Sequence, residues 1–247
     1  MSERPDIWGI DADIVAYSVG FASQGDPVED ALLSTRSLIQ TIMDGCECTK
    51  AQLFLTGRDN YRHDTVKSYK GNRSEAEKPQ HLAAIKEYMV TSLDAIVAEG
   101  QEADDLLGIY AVREGWGIAS LDKDLDCIPG WHYVWKGKRE GLYEVSPVEA
   151  DRFFYTQMLT GDATDNIPGL FNRTGKKAMA KTKAPLSEMD SPDSMYAYVL
   201  DVYLGAVEER KMPSDKSDVE RWLFEQGRCL WIRRQENELW EPPCLAE

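Results

Sequence analysis

The sequence Ile-Trp-Gly-Ile-Asp at residues 7–11 is a short apolar run that ends on an acid. A run of this length between polar residues is typical of a buried strand. Apolar residues at helical spacing follow over residues 28–43, and a second apolar run covers residues 51–55. Strand, helix and strand in this order predict a right-handed crossover between parallel strands, and therefore an α/β fold.

Strand and helix patterns continue to alternate through the first part of the chain. Further strands are predicted at residues 95–98, 117–120 and 132–135, and further helices over residues 79–93 and from residue 102. Helical spacing prevails from residue 147 onward, over residues 147–160, 194–207 and 216–233. We therefore predict a parallel-sheet core over residues 1–157, with a basic loop or arch at residues 57–78, and a helical lobe with the C-terminal segment over residues 158–247.

The composition indicates a globular protein with a sizeable core, since 43% of the 247 residues are apolar. The sequence has no apolar run long enough for a membrane helix and begins without the pattern of a secretion signal. The five cysteines are an odd number without a CxxC pair, which argues against a disulfide framework and a structural zinc site. We expect a cytoplasmic protein.

Eight acids fall in four clusters, each of which we expect at one end of a sheet of parallel strands, and three of the clusters directly follow predicted strands. They are Asp11; Glu102, Asp104 and Asp105; Asp122 and Asp124; and Asp162 and Asp165. The carboxyl ends of parallel strands meet at one edge of a sheet, where ligands of α/β proteins bind. Oxygen ligands without His or Cys partners prefer Mg²⁺ or Mn²⁺ to zinc. The clusters therefore predict a site for two or three Mg²⁺ ions, as in a two-metal phosphodiesterase.

Each cluster by itself also has an ordinary structural explanation. Acids in a first helical turn, such as those from Glu102 to Asp105, complement the helix dipole and cap free N–H groups. Asp122 and Asp124 suit a solvated turn. Asp162 and Asp165 lie three residues apart, as on one face of a helix, and precede a turn into a second helix.

A net charge of −15 by itself opposes nucleic-acid binding, but the cations are concentrated in two places. Residues 171–183 carry five Lys or Arg and no acid. Residues 58–78 interleave cations with tyrosines, as expected where bases stack and phosphates are held, and a solvated charged loop is the alternative explanation. The candidate DNA-contacting residues are Arg62, Tyr69, Lys70, Arg73, Lys78, Arg173, Lys176, Lys177 and Lys181.

Taken together, the sequence motifs of this chain resemble those of the 5′→3′ nuclease superfamily, which includes the flap endonucleases and the 5′-nuclease domains of bacterial DNA polymerases. The matching segments are residues 10–13, 69–73, 102–105, 122–124 and 161–169, in the order of that family. Residues 120–124, the pair Ile128-Pro129, Trp135 and the ending from Gln226 to Trp240 look most like the short 5′→3′ exonucleases of T7-like bacteriophages.

The resemblance implies a PIN-like nuclease core and a helix-hairpin-helix-like DNA-binding element in the helical lobe. It implies a monomer that hydrolyses phosphodiester bonds at 5′ ends of duplex DNA by a two-metal mechanism, with 5′ flaps and RNA primers as further substrates, in phage replication and recombination. The eight acids would hold Mg²⁺, Lys70 and Arg73 would contact the reacting phosphate, and Tyr69 would stack on the terminal base. Residues 170–175 depart from the family's closely spaced glycines, which argues against potassium at that turn.

Two alternatives remain open from the sequence. Residues 11–15 also fit the first motif of haloacid-dehalogenase-type phosphatases, with Asp11 as a covalent nucleophile and Gly161-Asp162 as their last acidic motif. That scheme needs a strand before Gly161, where the pattern predicts a helix, and it leaves the acids at residues 102–105 and 122–124 unexplained. The second alternative is a catalytically silent DNA-binding protein of the same fold, which the complete set of acids argues against.

Overall fold

The structure is a computed structural model that describes residues 3–71, 77–170, 176–208 and 216–243. The strands are β1 Ile7–Asp11, β2 Lys50–Thr56, β3 Ile96–Ala98, β4 Gly117–Ala119, β5 Gly130–Val134 and β6 Gly141–Val145. The helices are α1 Ala12–Ala22, α2 Val28–Cys46, α3 Arg62–Thr65, α4 Leu82–Ser92, α5 Ala103–Glu114, α6 Pro147–Thr160, α7 Lys176–Lys183, α8 Pro192–Glu208 and α9 Lys216–Leu230. The predicted α/β fold is confirmed.

The chain forms two compact units. The first, called the sheet unit, comprises Met1–Asn60, Ala76–Ser146 and Ile232–Asn237. Its described residues form a six-stranded sheet in the order β3-β2-β1-β4-β5-β6, in which β6 is antiparallel to β5 and the other neighbouring strands are parallel. Strand β1 therefore lies between β2 and β4, and its carboxyl end lies at the same edge as theirs.

Strand β1 lies in the interior of the sheet, and its residues before Asp11 are apolar. Trp8 and Ile10 are fully buried, and burial of each such side chain contributes roughly 2 kcal/mol. Gly9 allows α5 to pack closely on β1, since a Cβ atom at this position would lie 2.7 Å from Cδ2 of Leu107. This packing brings the start of α5, with its acids, towards the carboxyl edge of the sheet.

Two elements of the sheet unit were not predicted. Helix α1 begins directly after Asp11, whose carboxylate accepts a hydrogen bond from the backbone N–H of Ile14 and so caps the helix. Strand β6 pairs with β5 as an antiparallel hairpin. Its residues are mostly half-buried, so the apolar alternation that marks a strand in sequence is weak there.

The second unit, called the helical unit, comprises Tyr61–Glu75, Pro147–Trp231 and Glu238–Glu247. It contains helices α3 and α6 to α9. Its aromatic core surrounds Phe154, whose ring centroid lies 4.9 Å from that of Trp231 and 5.6 Å from that of Trp240. The division of the chain into domains at residues 1–157 and 158–247 stays a prediction. None of the described helices has the length and apolar composition of a membrane span.

Candidate active site

The carboxyl edge of the sheet collects three of the four acidic clusters. The parallel register places Ile10 of β1 opposite Leu53 of β2 and Ala119 of β4. The residues that end or follow these strands, Asp11 and Ser120 among them, therefore lie side by side. This is the arrangement that the sequence predicted for Asp11, for the start of α5 and for the turn after β4.

Asp11 is held in the interior of this edge. Its side chain is almost completely buried, with Oδ1 accepting from the Ile14 N–H at 3.2 Å and Oδ2 accepting from the Ser120 hydroxyl at 2.8 Å. Burial, followed by the nearby carboxylate of Asp13 and to a lesser degree that of Asp122, raises the pKa of Asp11 to about 7 although the Ser120 hydrogen bond lowers it. An ionised Asp11 therefore favours a cation close to it.

Ser120 connects Asp11 with the cluster at Asp122, and the sequence did not reveal it. The buried Ser120 hydroxyl donates to Asp11 and accepts from the backbone N–H of Asp122 at 3.0 Å. Oδ1 of Asp122 then accepts from the N–H of Asp124 at 2.9 Å, which starts a 3₁₀ turn at Lys123–Cys127. A serine after a strand is common in ordinary loops, so its pattern carries no signal of this role.

The acids at the start of α5 differ in how deeply they are buried and in the contacts they make. Glu102 and Asp105 form a capping box, and Asp105 is fully buried, with Oδ2 accepting from the Glu102 N–H at 3.0 Å and Oδ1 from the Arg233 N–H at 3.1 Å. The structural explanation considered for this cluster therefore applies to Asp105. Asp104 is only half-buried, so its carboxylate is less enclosed than that of Asp105.

Asp104 and Asp124 come from different clusters but act on the same buried thiol. Burial, with smaller contributions from the carboxylates of Asp124 and Asp104, raises the pKa of Cys127 to about 12, although Arg234 and a backbone hydrogen bond from Ile232 lower it. This electrostatic effect falls steeply with distance. The second and third acidic clusters therefore lie near one another in the sheet unit.

The acids at this edge are of the chemical type that binds a hard divalent cation, but the side chains of the described residues do not converge on one point. Within the four described ranges, no group of three or more His, Cys, Asp or Glu side chains is arranged so that it could hold a metal ion. Carboxylates repel one another unless a cation lies between them, and the oxygen donors gathered here are the ligands that Mg²⁺ and Mn²⁺ prefer. The assignment of individual ligands stays a prediction.

Asp162 and Asp165 belong to the helical unit, and the prediction that they share a helical face is wrong. Helix α6 ends at Thr160, because Gly161 adopts a left-handed conformation with φ +65°. Asp162 and Ile167 then exchange backbone hydrogen bonds of 2.8 and 2.7 Å, which closes a tight turn. Oδ1 of Asp162 accepts from the Thr164 N–H at 2.7 Å inside this turn.

Asp165 holds the segment that carries Lys70. Its Oδ2 accepts from the Tyr69 hydroxyl at 2.9 Å and lies 3.6 Å from Nζ of Lys70. The backbone N–H of Lys70 donates to the Asp165 carbonyl at 3.0 Å, and Asn166 donates to the Ser68 carbonyl at 2.8 Å. The tyrosine that was predicted to stack on a base is 2% exposed, so the structure places it inside the helical unit.

The structure places Arg62 in the interior instead of on a DNA-contacting surface. Its side chain is 1% exposed, and its guanidinium donates to the carbonyl oxygens of Cys229 at 3.0 Å and Trp231 at 2.6 Å. A guanidinium enclosed in this way is not accessible to a phosphate. Its charge-assisted hydrogen bonds instead tie α3 to the end of α9.

The other predicted DNA contacts have different outcomes. Lys78 and Lys181 are exposed, as a phosphate contact requires. Lys176 and Lys177 lie in the first turn of α7, and their side chains are outside the described part of the chain. Arg73 and Arg173 lie outside the described residues altogether.

Arg62→Met is expected to lower the free energy of unfolding by about 3 kcal/mol, because the buried carbonyls of Cys229 and Trp231 lose charged donors. Urea unfolding followed by circular dichroism measures this change. Arg58→Met removes the same charge at an exposed position and is expected to change the free energy by less than about 0.5 kcal/mol. Equal stability of the two variants would contradict the structural role of Arg62.

Comparisons with known proteins show which sequences are similar to this chain. No protein-family model matches the chain. Its sequence is 28% identical to the thermostable DNA polymerase I of Thermus filiformis over 192 residues, which are 69% of this chain and 23% of that protein. It is 31% identical to the DNA polymerase I of Rhizobium leguminosarum over 156 residues, which are 57% of this chain and 15% of that protein. The chain thus spans about a quarter or less of these relatives.

Solved structures share the fold over nearly the whole chain. The bacteriophage T5 flap endonuclease in a pseudo-enzyme-product complex with DNA and metal ions has a TM-score of 0.64 at 15% identity, covering 92% of this chain and 89% of that one. The catalytic core of Rad2 in complex with DNA substrate has a TM-score of 0.57 at 12% identity, covering 98% and 82%. The predicted resemblance to the 5′→3′ nuclease superfamily is confirmed.

The fold of these solved structures agrees with the predicted parallel-sheet core and with a predicted helical lobe. A T5 5′-exonuclease with bound zinc ions has the same fold, with a TM-score of 0.60 at 16% identity over 92% of this chain and 89% of that one. The closer similarity to the exonucleases of T7-like bacteriophages stays a prediction.

Proposed function

We propose that the protein is a divalent-metal-dependent 5′→3′ exonuclease that hydrolyses phosphodiester bonds at 5′ ends of duplex DNA. The observation that carries the proposal is the gathering of Asp11, Asp122 and the start of α5 at the carboxyl edge of the parallel sheet. The DNA and metal ions in the T5 complex and the DNA substrate in the Rad2 complex support the same ligands here.

The proposed metal ligands are the acids predicted from the sequence. Asp11, Glu102, Asp104 and Asp122 would bind directly, while Asp105, Asp124, Asp162 and Asp165 would complete a two- or three-ion Mg²⁺ site or act through waters. Divalent cations, when bound, supply Lewis-acid stabilisation of the phosphodiester and acidify water for nucleophilic attack. Mn²⁺ is expected to substitute, because it also prefers oxygen ligands.

The chain's own groups orient this chemistry. Ser120 fixes Oδ2 of Asp11 and the backbone of Asp122 at the same time, so both carboxylates keep their positions. Lys70, and with it Arg73, would neutralise charge on the reacting phosphate. Lys78, Lys181 and the other cations of residues 171–183 would hold the DNA backbone.

Further substrates and the biological setting follow from the same proposal. Flapped 5′ ends and RNA primers paired to DNA would be cut as well, by a monomer acting in the cytoplasm, which is the host cytoplasm if a phage encodes it. Replication and recombination of phage DNA would be the setting.

The two alternatives find less support. A haloacid-dehalogenase-type phosphatase needs a strand before Gly161, and helix α6 occupies that position. A catalytically silent DNA-binding protein would leave Asp11 buried and raised in pKa beside Asp122 without a chemical use.

The test uses duplex DNA with a fluorophore on one 5′ end, either blunt or carrying a 5′ flap, with Mg²⁺ or with EDTA. Short labelled products are expected from both duplexes with Mg²⁺, and none with EDTA. Mononucleotides indicate exonuclease action, and products of flap length indicate cutting at the junction. DNA binding without any release would favour the silent protein, and turnover of p-nitrophenyl phosphate with a phosphorylated Asp11 would favour the phosphatase.

A further inference from the structure

An ion pair lies at the carboxyl edge of the sheet, outside the predicted ligand set. Nζ of Lys86, in α4, lies 2.5 Å from Oδ1 of Asp13, in the first turn of α1. The two side chains are 31% and 22% exposed. A pair that exposed contributes only about 0 to 1 kcal/mol to stability, so stability alone is a weak reason for its presence.

The second oxygen of Asp13 extends the connection to strand β2. Oδ2 accepts from the backbone N–H of Thr56, the last residue of β2, at 2.8 Å. Both carboxylate oxygens therefore have partners from other elements. Asp13 thus joins the start of α1, the end of β2 and the middle of α4.

Thr56 continues the chain of hydrogen bonds to α5. Its hydroxyl accepts at 3.0 Å from the backbone N–H of Ala103, the first residue of α5. This N–H has no partner within its own helix, so the Thr56 hydroxyl fixes where the helix starts. Glu102 and Asp104, two of the proposed metal ligands, are the residues on either side of Ala103.

We propose that Lys86, Asp13 and Thr56 are positioning residues for the metal site. Their chain of contacts holds the start of α5, and with it Glu102 and Asp104, in a fixed place relative to the end of β1 and Asp11. The inference rests on the proposed function. Groups that orient metal ligands in this way typically change metal affinity about 10- to 100-fold when they are removed.

The first experiment measures Mn²⁺ binding to the DNA-free protein by isothermal titration calorimetry. Thr56→Val keeps the side-chain shape and the N–H to Asp13 but removes the hydroxyl acceptor, and it is expected to weaken Mn²⁺ binding by about tenfold. Thr56→Ser keeps the hydroxyl and is expected to bind within about twofold of the wild type. Unfolding in EDTA verifies that each variant is folded.

The Lys86→Met variant distinguishes the loss of a positioning contact from the loss of a positive charge near the metal site. Removal of a positive charge near a cation site would by itself make Mn²⁺ binding tighter, whereas loss of a positioning contact makes it weaker. We expect binding weaker by about threefold or more. Lys50→Met removes the same charge from the start of β2, at the opposite edge of the sheet, and is expected to leave Mn²⁺ affinity unchanged.

The outcomes distinguish this inference from the function on which it rests. Wild-type affinity in Thr56→Val, or equal or tighter binding in Lys86→Met, would overturn the inference while the wild type still binds Mn²⁺ and cuts DNA. If Thr56→Val does not fold, the comparison of Lys86→Met with Lys50→Met decides alone. A wild-type protein that binds no Mn²⁺ would overturn both the inference and the proposed function.

Discussion

Asp11→Asn is expected to lower the rate of nucleotide release from duplex DNA by at least about a hundredfold, the scale on which loss of one electrostatic group acts in catalysis. Asn cannot supply the negative charge that a cation at the carboxyl edge requires. Its amide is nearly the same size as the carboxylate, so the packing around the buried side chain is kept. Release of a 5′ fluorophore from a blunt duplex with Mg²⁺ measures the effect.

The same substitution is expected to stabilise the protein in EDTA. The folded-state pKa of Asp11, about 7, lies above its ordinary value of 3.8, so the folded protein holds this proton more tightly than the unfolded chain does. An ionised Asp11 therefore destabilises the fold above pH 7, by on the order of 4 kcal/mol, and this cost is relieved as the pH falls from about 7 towards 4.

Urea unfolding in EDTA at several pH values tests whether Asp11→Asn raises the free energy of unfolding. The stability advantage of Asp11→Asn over the wild type should be largest at about pH 8 and should vanish near pH 4. Asp94→Asn is a matched control, because Asp94 is an exposed acid of the sheet unit with φ 52°, a conformation that Asn tolerates. Full activity in Asp11→Asn, or a stability loss at pH 8, would refute the role given to this carboxylate.

Lys70→Met is expected to lower the rate of DNA cleavage by about a hundredfold, since removal of one such charged donor costs roughly 2 to 4 kcal/mol in the transition state. Lys70 lies 3.6 Å from Asp165 and has a left-handed backbone with φ 53°. The Tyr69 hydroxyl and the Lys70 backbone N–H both donate hydrogen bonds to Asp165. The Lys70 ammonium group therefore has a defined position in the helical unit.

The control for this variant is Lys67→Met, which removes the same charge from an exposed position of the same segment. It is expected to change the cleavage rate by less than about threefold, because an exposed charge in high dielectric acts weakly. Mn²⁺ affinity without DNA should be unchanged in Lys67→Met, and it should not be weakened in Lys70→Met, because that variant removes a positive charge 3.6 Å from the proposed ligand Asp165. A similar loss of rate in the two variants would mean that Lys70 acts only through the overall charge of the segment.

Much of the fold and one edge of the site could be predicted from local patterns. Apolar runs that end on acids at Asp11 and before Asp122 indicated strands of a parallel sheet, and a parallel sheet brings such ends together whatever the rest of the chain does. Helix α1 was not predicted, because the residue that caps it is Asp11, to which the sequence had already given the role of a metal ligand. The sequence pattern around Asp11 therefore did not show that the same carboxylate also caps a helix.

The sequence by itself determined that acids follow parallel strands, because strand periodicity and the residue that ends a strand are local properties of the chain. Only the tertiary structure decided which polar side chains face inward. The buried guanidinium of Arg62 donates hydrogen bonds to carbonyl oxygens 167 and 169 residues away. The carboxylate of Asp105 accepts a hydrogen bond from the N–H of Arg233, 128 residues away. The free energy of a buried polar group depends on partners brought to it by folding, and these are not visible in its neighbours along the sequence.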